Sequence, residues 1–299
     1  MLSYAVRAEY RLAHELANHC LQLAQRTQDS AHLLTAHYML GQNLLWMGEL
    51  SEAQQHLRRG SELYDAAQHH SLAARYSEDP GVVCLAWEAL ALFILGYPDQ
   101  SLQRSREAVA LAKNLADSFS LVQALILNAY IRLYRDEART AQEEAEGAIA
   151  LAREHDFPFF VQFTTIVWGW VLAELGECEE GILQMCQGLV DYRAAEAELF
   201  MPDFLAHLAE AQGKGEQGEP DWALLDEALA LIEKNDERWY EAEVYRIKGE
   251  LTLRQEFHVQ DPKFQVENPQ SAFRLPPPSG GNPPAPFVGG QTAASAPDP

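Results

Sequence analysis

Small residues recur along this chain at a fixed interval of 40 residues, and this spacing constrains the fold more than any other feature. Three columns of positions keep one register after a first step of 48 residues. The columns are Gly41, Ala89, Ala129, Gly169, Ala209 and Gly249; then Gly48, Gly96, Asp136, Gly176 and Glu216; then Gly60, Ala108, Ala148, Gly188 and Ala228. Such a period is typical of proteins built from stacked repeats, in which each unit packs mainly on its neighbours.

Each column has a physical role in a pair of antiparallel helices. The first lies in mid-helix, where two backbones approach closely, and the second ends that helix, where Gly adopts a left-handed conformation. Between the columns, apolar residues recur with the period of an amphipathic helix, as at Leu225, Leu229 and Ile232. Ser51 and Gln54 are predicted to form a capping box at the start of the second helix of the first pair.

The columns therefore predict an all-α fold, a right-handed solenoid of tetratricopeptide-like helical hairpins. Five pairs, flanked by half-repeats at about 4–27 and 239–255, are predicted at 31–66, 83–115, 119–154, 159–193 and 200–234. The first step of 48 residues indicates an eight-residue insertion in the linker after the first pair.

The chain is predicted to divide into a repeat domain, residues 1–255, and a tail, residues 256–299. The tail is dense in Pro, Gly, Ala and Gln and ends in PPPSGGNPPAPFVGGQTAASAPDP. It cannot bury enough apolar surface to offset the entropy lost on ordering, so we expect it to be disordered low-complexity sequence.

The net negative charge of the chain argues against some classes of binding partner. Lys and Arg number 22 against 44 Asp and Glu, a net charge of −22. Nucleic acids and anionic membrane surfaces need clustered cations, so neither is an expected partner. The start MLSYAVRAEYRLAHEL is too charged for a signal peptide, and no apolar stretch is long enough to span a membrane. We expect a cytoplasmic protein.

The sequence contains no pattern typical of catalysis or of cofactor binding. It lacks a phosphate-binding loop, a nucleophile elbow and the spacings of zinc sites. Its four cysteines lie far apart or within helical patterns, and they are interpreted as reduced thiols in the core. The chain is therefore predicted to be no enzyme and to bind no cofactor and no metal.

The first helix of each predicted pair would line the concave wall of the stack. Counting from the first column places these candidate groove residues on it: Tyr38, Gln42, Trp46, Phe93, Tyr130, Tyr134, Trp170, Glu174 and Arg246. Aromatic and Arg side chains dominate the binding energy of protein interfaces, so this wall is predicted to bind a protein or peptide. The same side chains would serve equally as packing between repeats, and the sequence leaves both interpretations open.

Two segments carry a resemblance to a known family. They are QHHSLAARYSEDPGVVCLAWEALALFILGYPDQSLQRSREAVALA and ALLDEALALIEKNDERWYEAEVYRIKGEL. They resemble the C-terminal tetratricopeptide region of bacterial signalling proteins that carry an adenylate/guanylate cyclase domain and an AAA-type ATPase. The resemblance covers about residues 4–255 and implies a regulatory or sensor arm whose partner is a signalling ATPase or cyclase. The cyclase and ATPase domains themselves are absent from this sequence.

The leading functional hypothesis is thus a scaffold or regulatory arm that binds a partner in the concave groove. Two alternatives remain at the level of sequence: a truncated, non-functional fragment of a larger regulator, and a small-molecule sensor. The apolar stripe of the first helix, Leu12, Leu16 and Leu23, lacks a preceding partner helix, which makes the end helices a candidate surface for self-association.

Overall fold

The computed structural model describes residues 6–214 and 220–258, and this part of the chain consists of helices and their linkers. Its twelve long helices are α1 (Tyr10–Thr27), α2 (Ser30–Trp46), α3 (Leu50–Leu63), α4 (Pro80–Ile94), α5 (Pro98–Leu115), α6 (Ser118–Tyr134), α7 (Ala138–Glu154), α8 (Pro158–Glu174), α9 (Cys178–Ala194), α10 (Met201–Lys214), α11 (Trp222–Asn235) and α12 (Glu241–His258). Three short helical segments, Ala66–His69, His70–Leu72 and Ala73–Tyr76, fill the longer linker between α3 and α4.

The predicted fold class is confirmed. Five hairpins, each an even-numbered helix followed by an odd-numbered one, run from α2–α3 to α10–α11, and the single helices α1 and α12 flank them. Met1–Arg254 form one compact unit, to which this description applies. Of the tail predicted at 256–299, residues 256–258 form the end of α12, and residues 259–299 lie outside the described residues.

Aspartate side chains fix where several helices begin. Asp29, Asp79 and Asp117 accept hydrogen bonds from backbone N–H groups in the first turns of α2, α4 and α6. These bonds satisfy amides that have no partner within the helix. The capping box predicted at Ser51 is wrong, because α3 already begins at Leu50 and its first turn has no side-chain cap.

The first small-residue column marks close helix approaches at Gly41 and Gly169, as predicted, but not at Gly249, where a Cβ would have nothing within 4 Å. A Cβ added at Gly169 of α8 would lie 2.5 Å from the carbonyl oxygen of Gly181 on α9. A Cβ at Gly41 of α2 would lie 2.6 Å from Cγ of Leu57 on α3. In the second column, the backbone angle φ is positive at Gly48, Gly96, Asp136 and Gly176. These residues end the even-numbered helices in the left-handed conformation that the sequence indicated.

The even-numbered helices form the inner layer of the stack. Helix α4 buries nearly every residue from Pro80 to Leu92, whereas its partner α5 buries a single stripe of small residues. Helices α4 and α6 also contact each other directly, as do α6 and α8, and α8 and α10. The inner wall is therefore made by α2, α4, α6, α8 and α10.

Two linkers cross this inner wall and reach the first helices. We call residues 195–200, between α9 and α10, and residues 236–240, between α11 and α12, the inner linkers. The backbone N–H of Glu198 donates to the carbonyl of Val6 at 2.8 Å, and that of Arg238 donates to the carbonyl of Trp46 at 2.8 Å. The fourth and fifth hairpins are thus tied to the beginning of the stack through main-chain hydrogen bonds.

Candidate functional site

The inner linkers close much of the wall that was predicted to be an open groove. Five of the nine candidate groove residues are buried: Tyr38, Gln42, Trp46, Tyr130 and Trp170, each 6% exposed or less. Phe93 and Tyr134 are half-buried, and Glu174 and Arg246 are exposed. In this conformation the five buried side chains pack inside the stack and a partner would not reach them, so their role in binding stays a prediction.

Phe200, at the end of the first inner linker, lies at the centre of the part of the inner wall that the linkers cover. Its ring is fully buried and lies 5.9 Å from that of Trp87, 5.6 Å from that of Tyr130 and 4.7 Å from that of Trp239, between ring centroids. Its φ angle is +63°, a region that costs an L-residue about 1–2 kcal/mol. Burial of the aromatic ring, which is worth about 2–3 kcal/mol for a phenylalanine, offsets this strain.

Glu237 is a buried carboxylate that joins both inner linkers to α1. Its Oε2 accepts from the hydroxyl of Tyr10 at 2.8 Å, and its Oε1 accepts from Nε1 of Trp239 at 3.0 Å and from the backbone N–H of Phe200 at 3.1 Å. Burial raises the pKa of Glu237 to about 7, and these hydrogen bonds offset only part of that effect.

Asp203, at the start of α10, anchors the tyrosines of α6. The hydroxyl of Tyr130 donates to its Oδ2 at 2.7 Å, and that of Tyr134 donates to its Oδ1 at 3.1 Å. Burial raises the pKa of both tyrosines well above the usual value, so both stay neutral donors. The wall is therefore held by a hydrogen-bonded network as well as by ring packing.

His207, one helical turn after Asp203, continues this network. Its ring stacks on that of Trp170 with centroids 3.5 Å apart, and its Nε2 lies 2.7 Å from the hydroxyl oxygen of Tyr240. Burial alone would lower the pKa of His207, but hydrogen bonds to Asp203 and Glu210 outweigh it and raise the pKa to about 9. A cationic imidazole therefore lies under the aromatic wall at neutral pH.

Beyond His207 the side chains become partly or largely exposed to solvent. We call this surface cluster the polar mouth; its residues are Phe93, Tyr134, Glu174, Glu210, Lys214 and Arg246. The rings of Phe93 and Tyr134 stack with centroids 5.4 Å apart, and both are half-buried.

The charged residues of the polar mouth are paired with one another. Lys214 pairs with Glu174 and lies 3.7 Å from Oε2 of Glu210, and Arg246 lies 3.3 Å from Oε1 of Glu210. Burial would raise the pKa of Glu210, but His207 and the two cations outweigh it and hold the pKa at about 2.

The described residues were also searched for metal sites, disulfides and membrane-spanning helices. No group of three or more His, Cys, Asp or Glu side chains in residues 6–214 and 220–258 is placed to hold a metal ion. All four cysteines are free thiols, but only Cys84 is buried. The prediction of core thiols is wrong for Cys20 and Cys186, which are exposed. None of the helices in the described part of the chain has the length and apolar character needed to cross a membrane.

Sequence reasoning did not foresee the inner linkers or the role of His207. The sequence contains one indication of each. The pairs Leu199-Phe200 and Trp239-Tyr240 are apolar insertions in otherwise charged linkers. The spacing of Asp203, His207 and Glu210, at i, i+4 and i+7, places all three on one face of a helix.

The apolar stripe of α1 lies on the surface. Leu12, Leu16 and Leu23 are 43%, 38% and 60% exposed. On α12, Tyr245 and Leu253 are 57% and 54% exposed. Self-association through these faces stays a prediction.

Two solved structures share this arrangement of helices. One is a Rap protein complexed with competence and sporulation factor, with a TM-score of 0.58 and 14% identity over 85% of this chain and 71% of that one. The other is the apo form of RapI, with a TM-score of 0.55 and 11% identity over 83% of this chain and 94% of that one. No protein-family model and no curated protein matches the chain. At these identities the likeness shows a shared repeat fold.

Proposed function

We propose that this chain is a binding module that takes up a segment of a protein or peptide partner at the polar mouth, as a regulatory arm of a bacterial signalling system. It acts in the cytoplasm and by binding rather than by catalysis. The resemblance of its sequence to the helical region of cyclase and ATPase regulators supports a signalling ATPase or cyclase as the partner. A fold neighbour solved in complex with competence and sporulation factor supports a binding role for this fold.

The observation that carries the proposal is the combination of side chains at the polar mouth. The half-buried ring pair of Phe93 and Tyr134 supplies apolar contact area, and Arg246, whose side chain is 47% exposed, supplies a cation. Aromatic and Arg side chains are the commonest binding hot spots. Ion pairs with Glu210, Glu243 and Glu250 hold Arg246 in place before a partner arrives, which lowers the entropy lost on binding.

Replacing both Phe93 and Arg246 with alanine is expected to weaken partner binding by about tenfold or more, because hot-spot side chains each contribute more than about 1 kcal/mol. The partner is captured from lysate of the source organism with the full chain, and its affinity is then measured by calorimetry for wild type and variant. A thermal melt of the variant verifies that it folds.

The matched control is Arg59→Ala on α3, where the arginine side chain is 57% exposed and lies away from the polar mouth. It should bind as wild type does. Equal affinity for the wild-type chain and the Phe93/Arg246 double variant would contradict the proposed location of the site.

A further inference from the structure

The third small-residue column reaches α1 at a residue that lacks its usual neighbour. A further step of 40 residues back from Gly60 falls on Cys20. Cys20 is exposed, whereas the later members of the column are buried: Gly60, Ala108, Ala148, Gly188 and Ala228. In a complete hairpin this position faces the inner helix, since a Cβ added at Gly188 of α9 would lie 2.6 Å from Cγ1 of Ile166 on α8. Among the described residues, α1 is therefore an outer helix without its inner partner.

The first column ends on α12 with the complementary gap. Gly249 is exposed, and a Cβ added there would have nothing within 4 Å, whereas the earlier members of the column are buried. In a complete hairpin this position faces the outer helix, as Gly169 of α8 faces Gly181 of α9. Helix α12 follows α11 as the inner helix of a further hairpin, whose outer helix is not among the described residues.

Each of these two helices exposes an apolar face around the gap. We call Leu16, Cys20 and Leu23 the α1 face, and Tyr245, Gly249 and Leu253 the α12 face. Each set recurs with the period of a helix, so its members lie on one side. The four large side chains of the two sets are exposed. The inner linkers leave the α1 face free, because they contact α1 at its first residues, Tyr10 and Arg11.

The register of the repeats determines how the two faces would meet. Helix α12 corresponds to α2 shifted by 208 residues, and α1 corresponds to α3 shifted back by 40 residues. In the first hairpin, the rings of His37 on α2 and His56 on α3 have centroids 5.0 Å apart. The same shifts take His37 to Tyr245 and His56 to Leu16. Paired as a hairpin, the α12 face and the α1 face would thus make an apolar contact at this position.

Charged residues beside the two faces are complementary when the helices run antiparallel, as they do within a hairpin. Arg26 lies in the last turn of α1, and Glu241 lies in the first turn of α12. At the other end, Glu15 of α1 would lie near Arg254 of α12. A parallel arrangement would instead set Arg26 beside Arg254, so the charges favour the antiparallel one. Glu241 and Arg254 already pair within their own chain, and a second copy would add to these ion pairs.

We propose that the α12 face of one copy docks on the α1 face of a second copy, so that the two helices form a hairpin shared between copies. Tyr245 packs on Leu16 of the second copy, and Gly249 lets the two backbones approach closely. The contact joins two different surfaces, so each copy keeps one free face and association continues head to tail. A single helix pair buries less area than a stable dimer needs, so dilute protein stays monomeric and assembly requires concentrated protein.

This assembly does not depend on partner binding at the polar mouth. Each copy in the array would carry its own polar mouth. A partner with repeated segments would then bind the array more tightly than it binds a single copy, because the later contacts become intramolecular.

Sedimentation of the full chain over a range of concentrations tests the proposal, at about 0.3 M salt so that the net charge of −22 is screened. The wild-type chain is expected to form species larger than a dimer. Leu16→Glu blocks the α1 face and Leu253→Glu blocks the α12 face. Each variant alone is expected to associate at least about tenfold more weakly, because the contact would bury a carboxylate without a partner.

An equimolar mixture of the two variants is expected to recover association and to stop at the dimer. Each variant retains the face that the other needs, and recovery also shows that both are folded. The matched control is Leu183→Glu on α9, where the leucine is 61% exposed, and it should assemble as wild type does. A wild-type chain that stays monomeric, or a mixture that associates no better than its components, would overturn the proposal. Association of Leu253→Glu alone at wild-type strength would show contact between like faces and would also overturn it.

A disulfide tests the register of the shared hairpin. In α8 and α9, a Cβ added at Gly188 would lie 3.2 Å from the carbonyl oxygen of Gln162. The corresponding residues of the shared hairpin are Cys20 and Ala242. Ala242→Cys is therefore expected to give covalently linked copies on mild oxidation with copper phenanthroline, and Cys20→Ser in the same chain is expected to abolish them. Equal cross-linking in the Cys20→Ser background would show that the register is wrong.

Discussion

Replacing Phe200 with alanine is expected to lower the free energy of unfolding by about 3–5 kcal/mol, the range measured for buried phenylalanines. The ring is fully buried among Trp87, Tyr130 and Trp239, so truncation leaves a cavity between α4, α6 and the second inner linker. The positive φ of the residue remains in the variant, and the strain is then no longer offset by a buried ring. Denaturation by urea, followed by tryptophan fluorescence, measures the change.

The matched control for this experiment is Tyr245→Ala on α12. Tyr245 is also aromatic but is 57% exposed, and surface substitutions of this kind change stability by less than about 0.5 kcal/mol. A loss below about 1 kcal/mol in the Phe200 variant would contradict the packing of the inner linkers, since cavities left by buried rings cost more.

The second large effect concerns Glu237 and depends on pH. Its pKa is about 7 in the folded chain because the carboxyl is buried, against about 4.3 for an unfolded glutamate. Between these values the folded chain holds a proton that the unfolded chain has released. The contribution of Glu237 to the free energy of unfolding is therefore greatest below the unfolded pKa and is lost as pH rises through 7.

The substitution Glu237→Gln removes this ionisation and keeps the hydrogen bonds. The amide oxygen can accept from Trp239 and from the backbone of Phe200, and the amide nitrogen can donate to the hydroxyl of Tyr10. At pH 8 the variant is expected to be more stable than wild type by about 3 kcal/mol, and near pH 5 by about 1 kcal/mol or less. Urea denaturation at both pH values measures the difference.

Glu143→Gln on α7 is the control, since Glu143 is exposed. Its effect on the free energy of unfolding should be the same at both pH values. A stabilisation by Glu237→Gln that is no larger at pH 8 than at pH 5 would show that Glu237 is not held as a neutral buried acid.

The repeat architecture could be predicted from the sequence because it depends on the spacing of small, turn and apolar residues that lie close together along the chain. The columns through Gly41, Gly169 and Gly188 place each helix pair within a few residues of its position in the structure. Helix period, turn residues and close approach all act between residues fewer than about 40 positions apart, which is the regime in which sequence patterns are informative.

The closing of the inner wall could not be predicted in the same way. It depends on Phe200 and Trp239, two rings in linkers, contacting helices at the other end of the sequence. No periodicity relates a linker to a distant helix. The sequence therefore predicted Trp46 and Trp170 on an open wall, whereas both are buried in the structure.

Hydrogen exchange at the inner linkers shows whether these segments lie on the inner wall. The backbone N–H groups of Glu198 and Arg238, which donate to the carbonyls of Val6 and Trp46, are expected to exchange as slowly as those in the middle of α6. Slow exchange at both would show that the linkers lie on the inner wall in solution and confine a partner to the polar mouth. Exchange at the rate of an unprotected linker would contradict the account and would return the whole inner wall, including Trp46 and Trp170, to the set of accessible binding residues.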